Sequence, residues 1–109
     1  MRLYHQPRTR STRALWMLEE AGAAFDLTLI TREDKASPGY RKLHPLGRSP
    51  VIEEDGGPVF ESVAIILHIA DQHPEARLIG ALGTHERALH YQWALFATSE
   101  IDGALNDVA

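Results

Sequence analysis

Residues 44–62 contain most of the side chains whose types and order indicate ligand binding, in the sequence HPLGRSPVIEEDGGPVFES. Ser49 and Pro50 form an X-Pro bond directly before an apolar run, which predicts a proline at the start or edge of a strand. Glu61 and Ser62 then open a helical pattern, with Ser62 as its expected N-cap. The free N–H groups at a helix start attract anions. Together these features predict a site for an extended peptide that carries a carboxylate.

A second set of polar side chains lies near the N-terminus. Tyr4, Thr9 and Ser11 carry hydroxyl groups, and three arginines, Arg10 among them, lie between residues 8 and 13. Tyr4 falls inside a predicted strand, where its side chain is expected to pack in the core, and Ser11 is expected to cap the helix that follows. Because the formal net charge of the chain is −4, an anionic small ligand accounts for the arginines better than nucleic acid does.

Composition argues against several other classes of chemistry. The 109 residues include no cysteine, so the protein has no disulfide, no thiol nucleophile and no cysteine-ligated metal. The 6 histidines show no metal-binding spacing, and no metal is expected. No apolar run approaches the ~20 residues that span a bilayer, and the N-terminus has no signal-peptide pattern. We therefore expect no membrane contact and a cytoplasmic location.

Hydrophobic periodicity predicts the elements that position the N-terminal side chains. Residues 2–5 have the pattern of a short strand, and a helix is predicted from residue 11 or 12 to residue 21. Gly22 is placed to end that helix in a left-handed conformation. Residues 25–29 alternate between apolar and polar side chains, the period of a half-buried strand. A strand–helix–strand unit of this length predicts a right-handed crossover and parallel strands.

The middle of the chain is punctuated by proline and glycine. Residues 31–38 are charged and are predicted to form a loop, followed by a short helix that starts at Pro38 and ends near Leu43. Residues 51–60 contain two short apolar runs around the turn sequence DGGP, which predicts a β-hairpin. The helix that follows, over residues 62–73, has apolar side chains on more than one face, so we expect it to be covered on two sides.

The C-terminal segment is predicted to be one long amphipathic helix that starts at Thr84. An apolar stripe runs along it, formed by Leu89, Trp93, Phe96, Ile101, Leu105 and Val108. No terminating signal precedes Ala109. Because a helix with such a stripe needs a partner, we expect the natural protein to continue into a helical second domain, or this helix to pack on another subunit.

In order and spacing, these elements resemble the thioredoxin-like N-terminal domain of glutathione S-transferases. Residues 44–52 are similar to the family's Asn-Pro-x-Gly-Lys-Val-Pro-x-Leu loop, and residues 61–65 to its Glu-Ser-x-Ala-Ile helix start. The sequences LEEAG at 18–22 and IADQHP at 69–74 also resemble the family. Residues 92–97 resemble the first helix of its all-helical second domain.

The resemblance implies a fold and a domain division. The fold is of the α/β class, a thioredoxin-like βαβ-α-ββα domain with a mixed four-stranded sheet, followed by the first helix of an all-α domain. The glutathione-binding domain is expected over residues 1–76, a linker over 77–83, and the start of the helical domain over 84–109.

The resemblance also implies roles in binding glutathione. Pro50 is expected to be cis, so that the main-chain N–H and C=O of Ser49 pair with the cysteinyl backbone. Ser62 and the helix N–H groups are expected to hold the γ-glutamyl carboxylate, Glu61 the α-amino group and Arg48 the glycine carboxylate. The sequence has Arg48 and Ser49 where the family's loop has Lys and Val.

In this family a Tyr, Ser or Cys after the first strand donates a hydrogen bond to the glutathione sulfur. Thr9 matches the spacing of the active serine in theta-like members and is the preferred candidate, with Ser11 second. Arg10 stands where several bacterial members carry Cys, which excludes thiol-transfer chemistry by this chain. Its charge offers another way to stabilise a thiolate.

The implied function is that of a glutathione transferase, with glutathione as co-substrate, a small electrophile as second substrate, and a homodimer as the assembly. The alternative is a non-catalytic glutathione transferase-like interaction module, as found in some transcription- or translation-associated proteins. The glutathione pocket is the feature that separates the two functions, and Glu61 and Ser62 with the Pro50 loop favour ligand binding.

Overall fold

The structure is a computed structural model that describes residues 1–108. It contains four strands and several helices, which are β1 (Arg2–His5), α1 (Thr12–Ala21), β2 (Asp26–Leu29), α2 (Arg32–Ala36), α3 (Pro38–Arg41), β3 (Val51–Glu54), β4 (Gly57–Phe60), α4 (Ser62–Gln72), a 3-10 helix (Pro74–Ala76), α5 (His85–Phe96), a π-helical segment (Ala97–Ile101) and α6 (Asp102–Val108). No helix in this part of the chain is long and apolar enough to cross a membrane.

The strands form one mixed sheet in the order β2-β1-β3-β4. β1 and β2 pair in parallel, whereas β3 pairs antiparallel with β1 and with β4. In the hairpin, Val51 lies opposite Phe60 and Glu54 opposite Gly57. The predicted α/β fold, with a parallel crossover through α1 and a hairpin after the Pro50 loop, is confirmed.

Two helices, α1 and α4, pack against each other over one face of the sheet. Five fully buried side chains form the centre of this core: Leu3, Leu18, Ile52, Ile65 and Ile69. Gly22 ends α1 at φ 65, the left-handed conformation that glycine adopts without a Cβ penalty. The core therefore depends on apolar residues at helical spacing on α1 and α4, as their sequence patterns predict.

β2 departs from the predicted burial pattern. Leu27 and Leu29 are 43% and 62% exposed. Leu27 and Leu29 are exposed because β2 is an edge strand of the sheet. The contacts of α1 and α4 with the sheet are mainly with β1, β3 and β4. Alternation correctly indicated a strand here, but the burial that it predicted for Leu27 and Leu29 is not found.

Residues 32–36 form the helix α2, so the prediction of a loop over 31–38 is wrong. A capping box starts this helix: the Asp34 N–H donates to Thr31 Oγ1 at 3.1 Å, and the Thr31 N–H donates to Asp34 Oδ2 at 2.8 Å. Pro38 is the first residue of α3, as predicted, although that helix ends at Arg41 rather than near Leu43.

The C-terminal segment is helical but not one regular α-helix. Thr84 caps α5, as predicted, with its hydroxyl accepting the Arg87 N–H at 3.2 Å. The π-helical segment over 97–101 then changes the phase of the side chains that follow. The apolar stripe is exposed along its whole length, and the end of the predicted helix at Ala109 lies outside the described residues.

Candidate functional site

A cleft of about 220 Å³ lies where the loop before β3, the start of α4 and the C-terminal helices meet. Its lining comprises Arg10, His44, Arg48, Ser49, Pro50, Glu61, Ser62, Thr98, Asp102 and Asn106. All five residues predicted to bind glutathione are therefore brought together in one place. The lining also includes side chains from both ends of the chain, which the sequence patterns did not connect.

The Pro50 loop has a fixed shape. The Ser49–Pro50 peptide bond is cis, as predicted, and Pro50 is buried. The Tyr40 hydroxyl donates to the Arg48 carbonyl at 2.6 Å, which ties the loop to α3. Gly47 has φ 61, and a Cβ there would come within 2.6 Å of the Lys35 carbonyl oxygen. Only glycine fits this position, so the loop presents Ser49 to the cleft on a rigid support.

His44 also stabilises the Pro50 loop. It is 4% exposed, its Nδ1 accepts the Leu46 N–H at 3.1 Å, and its ring lies 4.5 Å from the Phe60 ring between centroids. Burial lowers the pKa of His44, an effect partly opposed by the charge of Glu61. The imidazole is therefore expected to be neutral at pH 7, with its proton on Nε2. Sequence reasoning missed Tyr40 and His44 as positioning residues.

The start of α4 differs by one residue from the prediction. Glu61, not Ser62, occupies the N-cap position, with φ 78 and ψ 112. This is an uncommon backbone conformation for a residue other than glycine, and such outliers cluster at functional sites. Ser62 is the first helical residue, and within residues 1–108 its hydroxyl makes no hydrogen bond. Its hydroxyl and the free N–H groups of the first turn are available to a ligand.

The predicted sulfur-binding hydroxyls do not line the cleft. Ser11 is fully buried, with its Oγ 2.6 Å from His5 Nδ1 and accepting the Gln6 N–H at 3.1 Å. The Thr9 hydroxyl donates to the Gln6 carbonyl at 2.7 Å and lies 2.9 Å from Ser11 Oγ. Burial also lowers the pKa of His5. The roles of Thr9 and Ser11 stay predictions, while Arg10 between them does reach the cleft.

Tyr4, the third hydroxyl, is held on the sheet. Its OH donates to Glu53 Oε1 at 2.8 Å, and its ring packs edge-on against Tyr40 at 6.0 Å between centroids. Burial and the neighbouring Glu53 carboxylate raise the pKa of Tyr4. Burial raises the pKa of Tyr40 to about 12. Both phenols are neutral structural groups at pH 7.

The C-terminal side of the cleft is built on an ion pair between distant residues. Arg13 on α1 binds Asp102 on α6 through two hydrogen bonds, each 2.8 Å long. Asp102 is 7% exposed, and the hydrogen bonds from Arg13 lower the pKa of its carboxyl. Arg10 Nε lies 3.7 Å from the same carboxylate. In the sequence, this contact is indicated only by the position of Asp102, a carboxylate directly after Ile101 of the apolar stripe.

A larger cavity of about 570 Å³ lies at the other end of the sheet, between the N-terminus of β1 and the β3–β4 turn. Its charged lining is mainly acidic, with Asp26, Glu53, Glu54 and Asp55. This lining would repel a peptide with two carboxylates. Within residues 1–108, no group of three or more histidine, aspartate or glutamate side chains is arranged to hold a metal ion.

Comparison with known proteins agrees with this architecture. Residues 1–71 match the family model described as "Glutathione S-transferase, N-terminal domain". Glutathione S-transferase 3 of Schizosaccharomyces pombe is 33% identical over 95% of this chain, which covers 48% of that protein. Elongation factor 1-gamma of Prunus avium is 39% identical over 61% of this chain, which covers 15% of that protein.

Among solved structures, a sphingomonad glutathione S-transferase complexed with glutathione has a TM-score of 0.87 and 29% identity to this chain. The alignment covers 95% of this chain and 54% of that structure. The chain thus spans about half the length of the transferases that it matches. With its family match over residues 1–71, its thioredoxin-like sheet and its cis-Pro50 loop, the chain belongs to the glutathione S-transferase family.

Proposed function

We propose that the cleft binds glutathione and that the natural protein activates its thiol for attack on a small electrophile. One observation carries the proposal: the cis-Pro50 loop and the Glu61–Ser62 turn meet in the same cleft. A main-chain pairing edge and a helix start with free N–H groups are the two features that an extended peptide with a terminal carboxylate requires. The solved relative that is complexed with glutathione supports this choice of ligand.

Each end of the tripeptide has a proposed partner. The N–H and C=O of Ser49 pair with the cysteinyl backbone, which leaves the thiol facing the cleft. The γ-glutamyl carboxylate binds the Ser62 hydroxyl and the first N–H groups of α4, and Glu61 binds the α-amino group. Arg48, which is exposed at the cleft rim, binds the glycine carboxylate.

The chemical task is modest in energy. A free thiol with a pKa of about 8.5 is only a few per cent ionised at pH 7, and lowering its pKa to 7 requires about 2 kcal/mol. One or two charge-assisted hydrogen bonds suffice. Thr9 is the proposed donor and Ser11 the second candidate. To act, the Thr9 hydroxyl must turn away from the Gln6 carbonyl, its present acceptor.

The domain division and the assembly are also proposed. Residues 1–76 form the glutathione-binding domain, 77–83 the linker, and 84–109 the start of a helical domain. The exposed apolar stripe is proposed to pack in a homodimer, because exposed apolar side chains grouped on one element mark interaction surfaces.

A non-catalytic interaction module is the alternative function. The likeness to elongation factor 1-gamma favours it, because the name of that relative indicates a role in translation, one of the settings in which such modules are found. The two functions differ in what they require of the cleft. A transferase must bind glutathione and ionise its thiol, whereas a module of the alternative kind needs neither.

Calorimetric titration with glutathione tests the proposal. Ser62→Ala is the informative variant, because the Ser62 hydroxyl caps no helix and alanine is a good first-turn residue. We expect this variant to bind at least about tenfold more weakly, the effect of losing a hydrogen bond to a charged group. Ser99→Ala, in the π-helical segment and outside the cleft lining, is the matched control. Equal affinity of wild type and Ser62→Ala would refute the assignment of the carboxylate site.

A further inference from the structure

On the C-terminal side of the cleft, Arg10 and Arg13 lie near one carboxylate, that of Asp102, and only Arg13 forms hydrogen bonds with it. Both oxygens of Asp102 accept hydrogen bonds from Arg13 at 2.8 Å. Arg10 Nε approaches the same carboxylate only to 3.7 Å, which is beyond hydrogen-bond distance. The Arg10 side chain is 40% exposed and lines the cleft. Its guanidinium therefore keeps donors free for a ligand.

These donors are not needed for glutathione in the proposed binding mode. The partners of the tripeptide are Arg48, Ser49, Glu61 and Ser62, all on the loop and the α4 side of the cleft. Arg10 leans instead toward Asp102 on α6, beside Thr98 and Asn106. This second group of side chains is polar and carries the unused positive charge. In the proposed binding mode, the tripeptide does not contact this part of the cleft lining.

We infer that the second substrate carries an anionic group, a carboxylate in the simplest case, and that Arg10 binds it. The inference rests on the proposed function and names the class of electrophile for the same site. A neutral apolar electrophile would cover the Arg10 guanidinium without offering its free N–H donors an acceptor, and covering polar groups that have no hydrogen-bond partner is costly. A carboxylate instead matches the forked donors of the guanidinium and adds a favourable ion pair.

Stabilisation of the glutathione thiolate is the competing role for Arg10, and it has different consequences. A thiolate role affects every electrophile equally, because the thiolate is common to all reactions. A substrate-binding role affects only electrophiles with an anionic group. The ratio of efficiencies between two electrophiles that differ only in that group separates the two roles.

A suitable probe pair is 4-chloro-3,5-dinitrobenzoate and its neutral primary amide. With either, the glutathione thiolate attacks the ring carbon that bears chlorine, a C–S bond forms, and chloride leaves with the C–Cl electron pair. The thiol proton passes to solvent. The kcat/KM for each probe is divided by its uncatalysed second-order rate constant, so that intrinsic reactivity cancels. Glutathione affinity and the ultraviolet thiolate signal are measured separately on each variant.

In wild type we expect the carboxylate probe to have about a tenfold advantage over the amide after this correction, the effect of one charge-assisted hydrogen bond. Arg10→Met should bring the ratio to about one, and Arg10→Lys should retain part of it. Arg8→Met is the matched control, since Arg8 is an exposed arginine in the same loop and outside the cleft lining. This control should keep the full ratio.

Three results would overturn the inference while leaving the proposed function in place. The first is equal corrected efficiency for the two probes in wild type. The second is an Arg10→Met variant that lowers both efficiencies equally and raises the thiol pKa of bound glutathione, which assigns Arg10 to the thiolate. The third is an Arg8→Met variant that no longer prefers the carboxylate probe, which assigns the preference to the total positive charge of the loop. Failure of wild type to bind glutathione would overturn the proposed function and this inference together.

Discussion

The sheet domain and the C-terminal helices of this chain are stabilised by different kinds of interaction. The sheet domain has a closed apolar core with fully buried side chains on β1, β3, α1 and α4. The helices after residue 84 leave their apolar stripe exposed and contact the sheet domain through two arginine–carboxylate pairs. Arg13 binds Asp102, and Arg87, itself buried, binds Asp71 at 2.6 Å.

This difference explains the two sides of the cleft. The sheet domain supplies main-chain groups whose positions are set by packing, namely those of Ser49 and the start of α4. The helices supply the polar side chains of Thr98, Asp102 and Asn106, and Asp102 is placed by pairing with Arg13 across the boundary. We infer that the first side suits a constant peptide ligand, and that the second side can be changed by single substitutions, which suits it to substrate selection.

The largest expected effect concerns the difference in packing between the sheet domain and the C-terminal helices. Leu18→Ala removes a fully buried leucine from the core of α1, and we expect the free energy of unfolding to fall by about 3 kcal/mol through lost burial and the cavity that remains. Leu95→Ala, at a 65% exposed helical leucine on α5, should change it by less than about 0.5 kcal/mol. Urea denaturation followed by circular dichroism measures both. Similar losses would contradict the contrast.

The parts of the structure that were predictable are those with local signals. Gly22, Pro38 and the DGGP turn each determine the backbone within a few residues, so the elements that they bound were predicted. Two predictions from local patterns are wrong. The charged run over residues 31–38 predicts a loop, although Thr31 and Asp34 form the capping box of α2. The sequence also predicts Ser62 as the N-cap of α4, whereas Glu61 takes that position in an uncommon backbone conformation.

The contacts that no local pattern encodes were missed. Arg13 and Asp102 are 89 residues apart, and Asp102 directly follows a π-helical segment that the apolar periodicity does not predict. Similarly, nothing near Ser11 in the sequence indicated that its hydroxyl would be buried against His5. The loop side of the cleft was therefore predicted, whereas the helix side was not.

The second prediction breaks the contact between the two regions. Asp102→Asn keeps the shape of the side chain but removes the charge that pairs with Arg13. We expect a loss of about 1 to 2 kcal/mol in unfolding free energy, allowing for the partial exposure of Arg13. Asp107→Asn, at an exposed carboxylate on the same helix, should be nearly neutral. A loss of the same size in both variants would point to helix propensity instead of the ion pair.

The difference in unfolding free energy between wild type and Asp102→Asn is also predicted to depend on pH. The pKa of Asp102 is lowered in the folded state by its hydrogen bonds from Arg13, so its contribution is complete above the unfolded pKa of about 3.9. That contribution is lost as pH falls through the folded pKa. The stability difference between wild type and Asp102→Asn should therefore be constant near neutral pH and shrink below about pH 4. A difference that grows on acidification would reverse the sign and exclude this account.

The third prediction concerns the exposed apolar stripe. If the stripe forms the proposed homodimer interface, Trp93→Ala should raise the dimer dissociation constant at least about tenfold, because large aromatic side chains dominate such interfaces. Leu29→Ala, at an exposed leucine on the edge strand β2, is the control and should not change it. Sedimentation equilibrium over a concentration series measures both. A wild-type chain that stays monomeric throughout would contradict the proposed assembly.

The smallest predicted effect concerns the thiol. If Thr9 is the donor to the sulfur, Thr9→Ala should raise the thiol pKa of bound glutathione by about one unit, equivalent to about 1.4 kcal/mol. Ser11→Ala should have a smaller effect, because Ser11 is buried and bonded to His5 and Gln6. The ultraviolet thiolate signal is titrated against pH in each variant. No shift in either variant would assign the thiolate to Arg10 or to main-chain N–H groups.

Amide chemical-shift mapping during a glutathione titration shows whether glutathione binds between the Pro50 loop and the start of α4. We expect saturable shifts for the N–H groups of Ser49 and Ser62, with little change at Asp55 and Gly56 beside the acidic cavity. Shifts confined to Asp55 and Gly56, with Ser49 and Ser62 unchanged at saturation, would contradict it.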